Sequence, residues 1–578
     1  MAIFKNKYLI ILFLLFAVAF FLRFYELENI PAGFLNDEAN AGYDAYSILL
    51  TGRDQWNNIL PLNNFIGFGD FPRPIHRYLL LIPVYLFGLN EFSIRFISAF
   101  SGVLSVVALF FLVKKLVNKT AAFFSAFLFA VMPWAIGLSR IGHESNIAIF
   151  FLIVALILGL VQKSSKSLYY CVIFLAFAMY TYSAYILYAP IVLALVLYFN
   201  YKKEIGYKTL LKPLILFLII ISPIVFQKNS ASVRFSQVGL ATNIENIGLI
   251  NNLNDERGQC LIIFNPMVCK ATDNKAILYT SVFIKNYLSH FSPNFLYISG
   301  TSTQFSILPK RGLDYIFNFL PLIFGFVFLL KNNKQKKLNR IFISLFLLAP
   351  LPDSLTSDGN YVRASIMQPF IAVVTGLGYY YLINYLINKI NKNKTLRYII
   401  LLSIFLPISF SLISFFVVYI TYFKNNYAIY SQFGYKNLVT NIKNSENFFD
   451  KIYLSSHLND AKQYIYYLFY TKYDPVRYQQ KNDVIYTNEQ NGWISIDQIG
   501  KIYFVQRLPK VKNLELLPNR SVLLISNPVD FPKSIKAVFV VKDKLGNVIF
   551  KAVKLSDLLD YNKTHAILIK KQANDIYQ

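Results

Sequence analysis

The feature that most limits what this chain can fold into is a series of long apolar runs. The first covers 8–22, and others recur near 93–113, 121–138, 146–162, 168–181, 184–200, 210–226, 313–330, 339–353, 361–387 and 396–423. An apolar stretch of roughly 20 residues is what an α-helix needs to cross the hydrocarbon core of a bilayer. Composition agrees, with 578 residues that are 55% hydrophobic and 17% aromatic and a mean hydropathy of +0.44. A soluble globular protein is excluded. The expectation is a mainly α, polytopic membrane protein with about eleven transmembrane helices. A shorter run, 78–88, contains Pro83 and is expected to lie at the interface as a helix. The first run follows Lys5 and Lys7, and Ala17-Val18-Ala19 mimics a signal-peptidase site. Because many spans follow, it reads as a retained signal anchor.

The formal charge is +27, which in a soluble protein would suggest nucleic acid. Here the cations fall in the short connectors, and no nucleic-acid motif accompanies them. Placing the N-terminus in the cytoplasm puts Lys114, Lys115, Lys119, Lys163, Lys166, Lys202, Lys203, Lys208, 331–340 and 389–397 all inside. That is the positive-inside pattern. It leaves 23–92, the turns near 140 and 182, 227–312, 354–360 and everything after 423 outside the cytoplasm, in the plasma membrane of the cell.

Two domains are expected. Residues 1–424 form the membrane domain, and 425–578 form a small α/β domain of a size that can hold its own core. Strand-like runs include Lys451-Ile452-Tyr453-Leu454, Lys501-Ile502-Tyr503-Phe504-Val505 and Val522-Leu523-Leu524-Ile525. A helical pattern covers 460–473, and Lys544-Leu545-Gly546-Asn547 reads as a hairpin turn. With no nucleotide-binding glycine loop and no triad, this domain reads as an accessory one that binds an acceptor. The loop 227–312 is too long for a plain connector. It carries His290, and Cys260 and Cys269 nine residues apart, a separation a disulfide can close. A zinc pair is the alternative, but no histidine neighbours them, and an outer loop favours the disulfide. Cys171, inside an apolar run, reads as inert core.

The acids concentrate in the first outer loop, 34–76, which holds Asp37, Glu38, Asp44, Asp54 and Asp70. Ionisable groups beside a membrane usually mark a site, since burying them is costly. The alternative is a solvated loop whose acids face water, and Asp44 and Asp54 are expected on that solvated side.

The first hundred residues resemble the membrane glycosyltransferases of the GT-C fold. The likeness lies with the protein O-mannosyltransferases, glycosyltransferase family 39 and the lipid A aminoarabinose transferases. It is carried by Asp37-Glu38-Ala39, Gly42-Tyr43-Asp44-Ala45-Tyr46, Thr51-Gly52-Arg53-Asp54, Leu60-Pro61-Leu62 and Phe87-Gly88-Leu89-Asn90-Glu91-Phe92-Ser93-Ile94-Arg95-Phe96. The resemblance implies a polyprenyl-phosphate-linked sugar as donor, inversion at the anomeric carbon, and a catalytic base at Asp37. Glu38 would be a further site member, its alternative being a salt bridge to a nearby arginine. The resemblance also implies action without a metal, although Asp70 with Asp37 and Glu38 is a candidate divalent-cation set.

Transfer to a hydroxyl needs a carboxylate to accept a proton and cations to stabilise the departing phosphate. Arginine suits the second task through its paired donors. Arg140, in Ser139-Arg140-Ile141-Gly142-His143-Glu144, resembles the family's arginine at the same span end. Arg363, between Asp358-Gly359-Asn360-Tyr361 and Ile366-Met367-Gln368-Pro369, resembles its arginine-then-proline helix opening. Arg73 and His76 are further phosphate candidates, though Pro72-Arg73-Pro74 departs from the family's Pro-Pro element. The alternative for each arginine is interfacial snorkelling. Asp70, His143 and Glu144 are candidate supporting or acceptor-binding groups. Five histidines, at 76, 143, 290, 457 and 565, are too scattered for a recognisable metal site.

The donor's supply argues the same way: there is no phosphate-binding glycine loop for a nucleotide sugar. Membrane lipids are partners throughout, and the acceptor is a protein, a lipid or a glycan. Two rivals stand beside this reading. A lipid-linked sugar flippase or transporter predicts charges inside spans and internal repeats, which the sequence does not clearly display. A surface-polysaccharide polymerase or ligase would share the donor class.

Overall fold

In a computed structural model, the described residues are 2–68, 70–162, 164–201, 206–226, 239, 247–301, 311–332, 335–389, 394–426, 432–455, 462–488, 494–508 and 521–564. His457 and His565 lie outside them. The membrane part opens with α1 (Ala2–Phe24), α2 (Asn36–Thr51), α3 (Pro74–Phe87), α4 (Glu91–Leu116), α5 (Lys119–Val131) and α6 (Pro133–Ser139). It continues with α7 (Glu144–Leu156), α8 (Ser165–Thr181), α9 (Tyr185–Asn200) and α10 (Tyr207–Phe226).

Among the described residues four helical stretches are long and apolar enough to cross a membrane: Glu91–Leu116, Glu144–Val161, Arg363–Ile387 and Phe405–Tyr422. The pair α5 and α6 makes a fifth, bent by 57°, and five shorter apolar helices accompany them. The helical membrane architecture is therefore present, while the count of eleven is not reproduced by helix length alone. One of the short helices, α3, buries His76, Arg77, Leu80, Pro83 and Val84 on one side. It leaves Ile82, Tyr85, Leu86 and Phe87 exposed on the other.

The α5–α6 bend has an identifiable cause. Pro133 lacks an N–H, so the preceding turn loses a helical donor. In lipid an orphaned carbonyl is costly, and the buried Arg23 of α1 fills the gap. Its guanidinium donates to Phe129 O at 3.3 Å, Ala130 O at 3.0 Å and Ser139 Oγ at 3.2 Å. A cation inside a span thus serves backbone satisfaction.

After the spans comes a seven-stranded mixed sheet. Its strands are β1 (Lys451–Ser455), β2 (Val484–Asn488), β3 (Ile494–Ile499), β4 (Ile502–Val505), β5 (Val522–Ser526), β6 (Phe539–Lys542) and β7 (Val548–Lys554), in the order β2-β3-β4-β1-β5-β7-β6. β1 lies at the centre, parallel to β4 and β5, and the flanking pairs are antiparallel. All five residues of β5 are buried, as expected of a strand covered on both faces. The β6–β7 turn falls where Leu545-Gly546-Asn547 announces it, tied by Asp543 accepting from the N–H groups of Leu545 and Asn547 at 2.9 and 2.8 Å.

The sheet domain does not float above the spans. One apolar core contains Phe34, Ala39, Tyr43, Leu80 and Ile94 together with Tyr435, Leu438, Ile452, Tyr466, Leu468 and Phe469. Gly42 is the pressure point: a Cβ there would meet Ile94 at 2.7 Å and Phe469 at 2.8 Å. Only glycine lets α2 lie this close to both.

Candidate functional site

The acidic loop is largely helical and largely buried. In α2, Glu38 faces inward: its carboxylate accepts from Arg95 Nε at 3.0 Å, Gly142 N at 2.7 Å and Leu35 N at 2.9 Å. Arg95 also donates to the carbonyls of Leu27, Glu28, Pro31 and Gly33. The salt-bridge alternative for Glu38 is therefore the one the structure contains. Gly142 is glycine for space, since a Cβ would meet Ile94 O at 3.0 Å and Glu38 Oε1 at 3.2 Å.

Asp37, one residue earlier, is exposed at the first turn of α2. The helix N-terminus favours its ionised form through the macrodipole. Two adjacent carboxylates thus have opposite environments. The tight inward anchoring of Glu38 fixes the direction in which Asp37 points.

Asp44 and Asp54 correct an expectation: neither is solvated. Asp44 is 0% exposed and pairs with Arg77 Nε at 2.7 Å, while accepting from Gln55 Nε2 at 3.1 Å. Burial pushes its carboxyl up to about 6, with Arg77 pulling it back. Arg77 reaches on to Asn40 at 2.7 Å. Asp54, also 0% exposed, ties its own turn by accepting from Trp56 N at 2.9 Å and Asn58 N at 2.8 Å. A loop that must pack beneath a second domain cannot keep its acids in water, so they are paired internally. Asp70 is half-buried in the 65–72 turn, whose backbone closes through Gly67 N to Asp70 O at 2.9 Å.

The turn 140–144 joins these elements. Its Gly142 binds Glu38, and Glu144 lies 3.8 Å from His76 Nδ1 and 3.7 Å from His143 Nδ1. His143 caps α7 by accepting from Ser145 N at 3.1 Å and lies edge-on to Tyr182 at 5.6 Å. His76 is buried, and burial holds its imidazole down at about 3 against the pull of Glu144. Arg73, also buried, stands at the start of α3 as its N-cap residue. Arg140 is committed to backbone carbonyls. Its guanidinium is 1% exposed and donates to Leu22 O at 2.9 Å, Tyr25 O at 2.6 Å and Ile30 O at 3.0 Å, fastening the end of α1.

Arg363 opens the short 3-10 turn Arg363–Met367, which packs against α7 and leads into the helix Gln368–Lys389. Its side chain is 25% exposed, with Nε held by Asp353 Oδ1 at 3.1 Å. Asp353 is a hub that sequence reasoning missed. Fully buried, it also accepts from His290 Nε2 at 2.9 Å, Ser357 Oγ at 2.7 Å and Asn360 N at 2.6 Å. His290 Nδ1 faces Asn286 O at 2.6 Å. The segment that carries His290 therefore reaches the arginine through one carboxylate. The signal was present as Pro352-Asp353-Ser354, but nothing local distinguishes that aspartate from a solvated one.

In the same segment Cys260 and Cys269 form the expected disulfide, with Cα atoms 5.8 Å apart. They join the helices Ile247–Ile263 and Pro266–Thr272 rather than a bare turn. Cys171 is buried and unbonded. Among the described residues, no three histidine, cysteine or acidic side chains gather as metal ligands.

The resemblance read from the first hundred residues meets a family model. Residues 70–226 match the dolichyl-phosphate-mannose-protein mannosyltransferase family. Arg73, His76, Arg140, His143 and Glu144 fall inside the matched segment, and Asp37 and Arg363 fall outside it. A curated relative in Bacillus subtilis (strain 168), YkcB, whose name calls it a candidate mannosyltransferase, is 26% identical over 152 residues. The match takes in 26% of this chain and 20% of that relative's length. Among solved structures, ArnT from Cupriavidus metallidurans in the apo state aligns over 96% of this chain and 99% of its own, at 12% identity and a TM-score of 0.48. Its complex with undecaprenyl phosphate aligns over 93% and 97%, at 12% identity and 0.46. The archaeal oligosaccharyltransferase AglB from Archaeoglobus fulgidus aligns over 81% and 64%, at 13% identity and 0.46.

Proposed function

We propose that this chain is an integral membrane glycosyltransferase. It takes a sugar from a polyprenyl-phosphate donor at the outer face of the plasma membrane and passes it to an acceptor hydroxyl with inversion. The observation that carries this reading is the division of labour at the start of α2. Glu38 is locked inward on Arg95 and Gly142, and Asp37 is left exposed in the first turn of the helix.

Asp37 is the base. It takes the proton of the acceptor hydroxyl as that oxygen attacks the anomeric carbon; the bond to the phosphate oxygen breaks, and polyprenyl phosphate leaves. Arg363, pre-aimed by Asp353, and Arg73 stabilise the phosphate's charge. His76, kept neutral by burial, serves as a hydrogen-bonding group rather than a cation. Arg140 acts at a distance by fixing α1. A groove of about 980 Å³, lined by Leu60, Pro61, Phe71, Ile75, Phe177 and Ile220 among others, adjoins the start of α3 and suits an isoprenoid tail. The cytoplasmic connectors sit at one end of the bundle in this reading. Lys337 supports that, donating to Phe199 O at 2.8 Å and Tyr201 O at 3.1 Å at the end of α9. The N-terminus is then cytoplasmic and the sheet domain lies outside.

The test is purified protein given a polyprenyl-phosphate sugar and candidate acceptors. Release of free polyprenyl phosphate with glycosylated acceptor is expected. Movement of intact lipid-linked sugar across a vesicle membrane with no phosphate release would overturn the reading in favour of a flippase.

A further inference from the structure

The first turn of α2 has an unusual cap. The residue before the helix, Leu35, has no side-chain acceptor, although helix N-termini leave several N–H groups unsatisfied and favour Ser, Thr, Asp or Asn at that place. The acceptor comes from almost 400 residues away. Gln432 Oε1 accepts from Asn36 N at 2.8 Å. The Tyr466 hydroxyl stands 2.5 Å from that same oxygen and 2.8 Å from Phe34 O. Tyr466 is fully buried and stacks on Tyr435 with ring centroids 4.2 Å apart and planes 13° from parallel.

The far end of α2 is gripped as well. Gln479 Nε2 sits among Ser47 Oγ at 2.9 Å, Thr51 Oγ1 at 3.0 Å and Asp54 O at 2.9 Å, with two protons to share among them, and Tyr43 Oη donates to Tyr473 O at 3.0 Å. Thus the C-terminal domain holds both ends of the helix that carries Asp37. At the end that matters, its contact is one residue from Asp37 itself.

We propose that the C-terminal domain is part of the catalytic unit, with Gln432 and Tyr466 as positioning residues that set the carboxylate of Asp37. This rests on the reading of Asp37 as base. Neither residue touches the reacting atoms. Gln432 fixes the Asn36 peptide, and the single proton of the Tyr466 hydroxyl is shared between Gln432 Oε1 and the Phe34 carbonyl, so the chain entering α2 is held by one small network. Small misplacements of a catalytic group cost large factors in rate, which gives this contact its leverage.

The experiment is steady-state kinetics of the full-length protein. Tyr466→Phe keeps the ring stack and removes the hydroxyl. Gln432→Ala removes the cap, and Gln432→Glu keeps an acceptor for the Asn36 N–H and the Tyr466 hydroxyl. Expected are falls in kcat of about 10–100-fold for Tyr466→Phe and Gln432→Ala, an unchanged donor KM, and substantial recovery in Gln432→Glu. In an Asp37→Asn background, Gln432→Ala should add nothing, because residues acting through one group are non-additive. Wild-type kcat in both Tyr466→Phe and Gln432→Ala would overturn the proposal. So would a full additional loss in the Asp37→Asn background, since the effect would then run elsewhere. Should Gln432→Ala fail to fold, Tyr466→Phe decides alone. Wild-type turnover in Asp37→Asn by itself would instead overturn the base assignment beneath it, so the two failures are distinguishable.

Discussion

Replacing Glu38 separates structural from chemical roles in the acidic pair. Its carboxylate is 2% exposed and accepts from two backbone N–H groups and the Arg95 guanidinium. Removing one partner of a buried ion pair costs about 3–5 kcal/mol, because the other charge stays buried. Two lost backbone hydrogen bonds would add about 1 kcal/mol each. Against this, the carbonyls of Leu27, Glu28, Pro31 and Gly33 still hold Arg95, so the total for Glu38→Ala should remain near 3–5 kcal/mol. Glu38→Gln keeps an acceptor oxygen and loses the charge, for about 1–3 kcal/mol. Asp37→Ala, at an exposed position, should stay within about 0.5 kcal/mol. Chemical unfolding in mixed micelles, followed by circular dichroism, measures all three. A Glu38→Ala protein with an unchanged unfolding midpoint but lost turnover would refute this reasoning, and would return Glu38 to direct contact with substrate.

Asp44→Asn leaves Arg77 buried without its charge partner, so it should destabilise by about 3–5 kcal/mol in the same unfolding assay, far more than a solvated aspartate would. His76, with its imidazole at about 3 in the fold, is neutral there while its unfolded counterpart titrates near 6.5. The unfolded state therefore binds more protons below pH 6.5, and stability should fall by about 2 kcal/mol between pH 7.5 and pH 5. His76→Gln should remove that part of the pH dependence, and an unchanged profile would count against it. Arg363→Ala should raise the apparent donor Kd at least about 10-fold, a loss of about 1.4 kcal/mol; Arg363→Lys, which keeps a cation beside the buried Asp353, should hold the unfolding midpoint while still weakening donor binding. His290→Gln should raise that Kd less, by releasing Asp353.

Much of the fold was legible because its signals are local. Apolar runs announce helices, and alternating runs at Lys451 and Val522 announce strands, while the run 121–138 gives no notice that it bends by 57° at Pro133. The Cys260–Cys269 pair could be read from spacing. The failures share a cause, which is that burial of a polar residue depends on what a distant segment does. Asp44 and Asp54 read as solvated, yet the sheet domain covers α2 and forces them into internal pairs. Arg140 read as a phosphate ligand, yet its donors meet the carbonyls of Leu22, Tyr25 and Ile30, which no pattern near residue 140 reveals. Asp353 and Gln432 escaped notice for the same reason, since their partners lie at Arg363 and His290, and at Asn36. Helix length alone does not give the expected span number, because α9 has 16 residues and the α5–α6 pair is bent by 57°.

The most direct measurement is release of free polyprenyl phosphate by purified Asp37→Asn protein, beside the wild type and with donor binding measured in parallel. Asn keeps the size of the side chain and removes the charge that accepts a proton. General-base catalysis contributes typically about 10²–10⁴-fold. The account predicts a loss of at least about 10²-fold in release, with donor affinity and unfolding midpoint unchanged. Undiminished release by Asp37→Asn would contradict it.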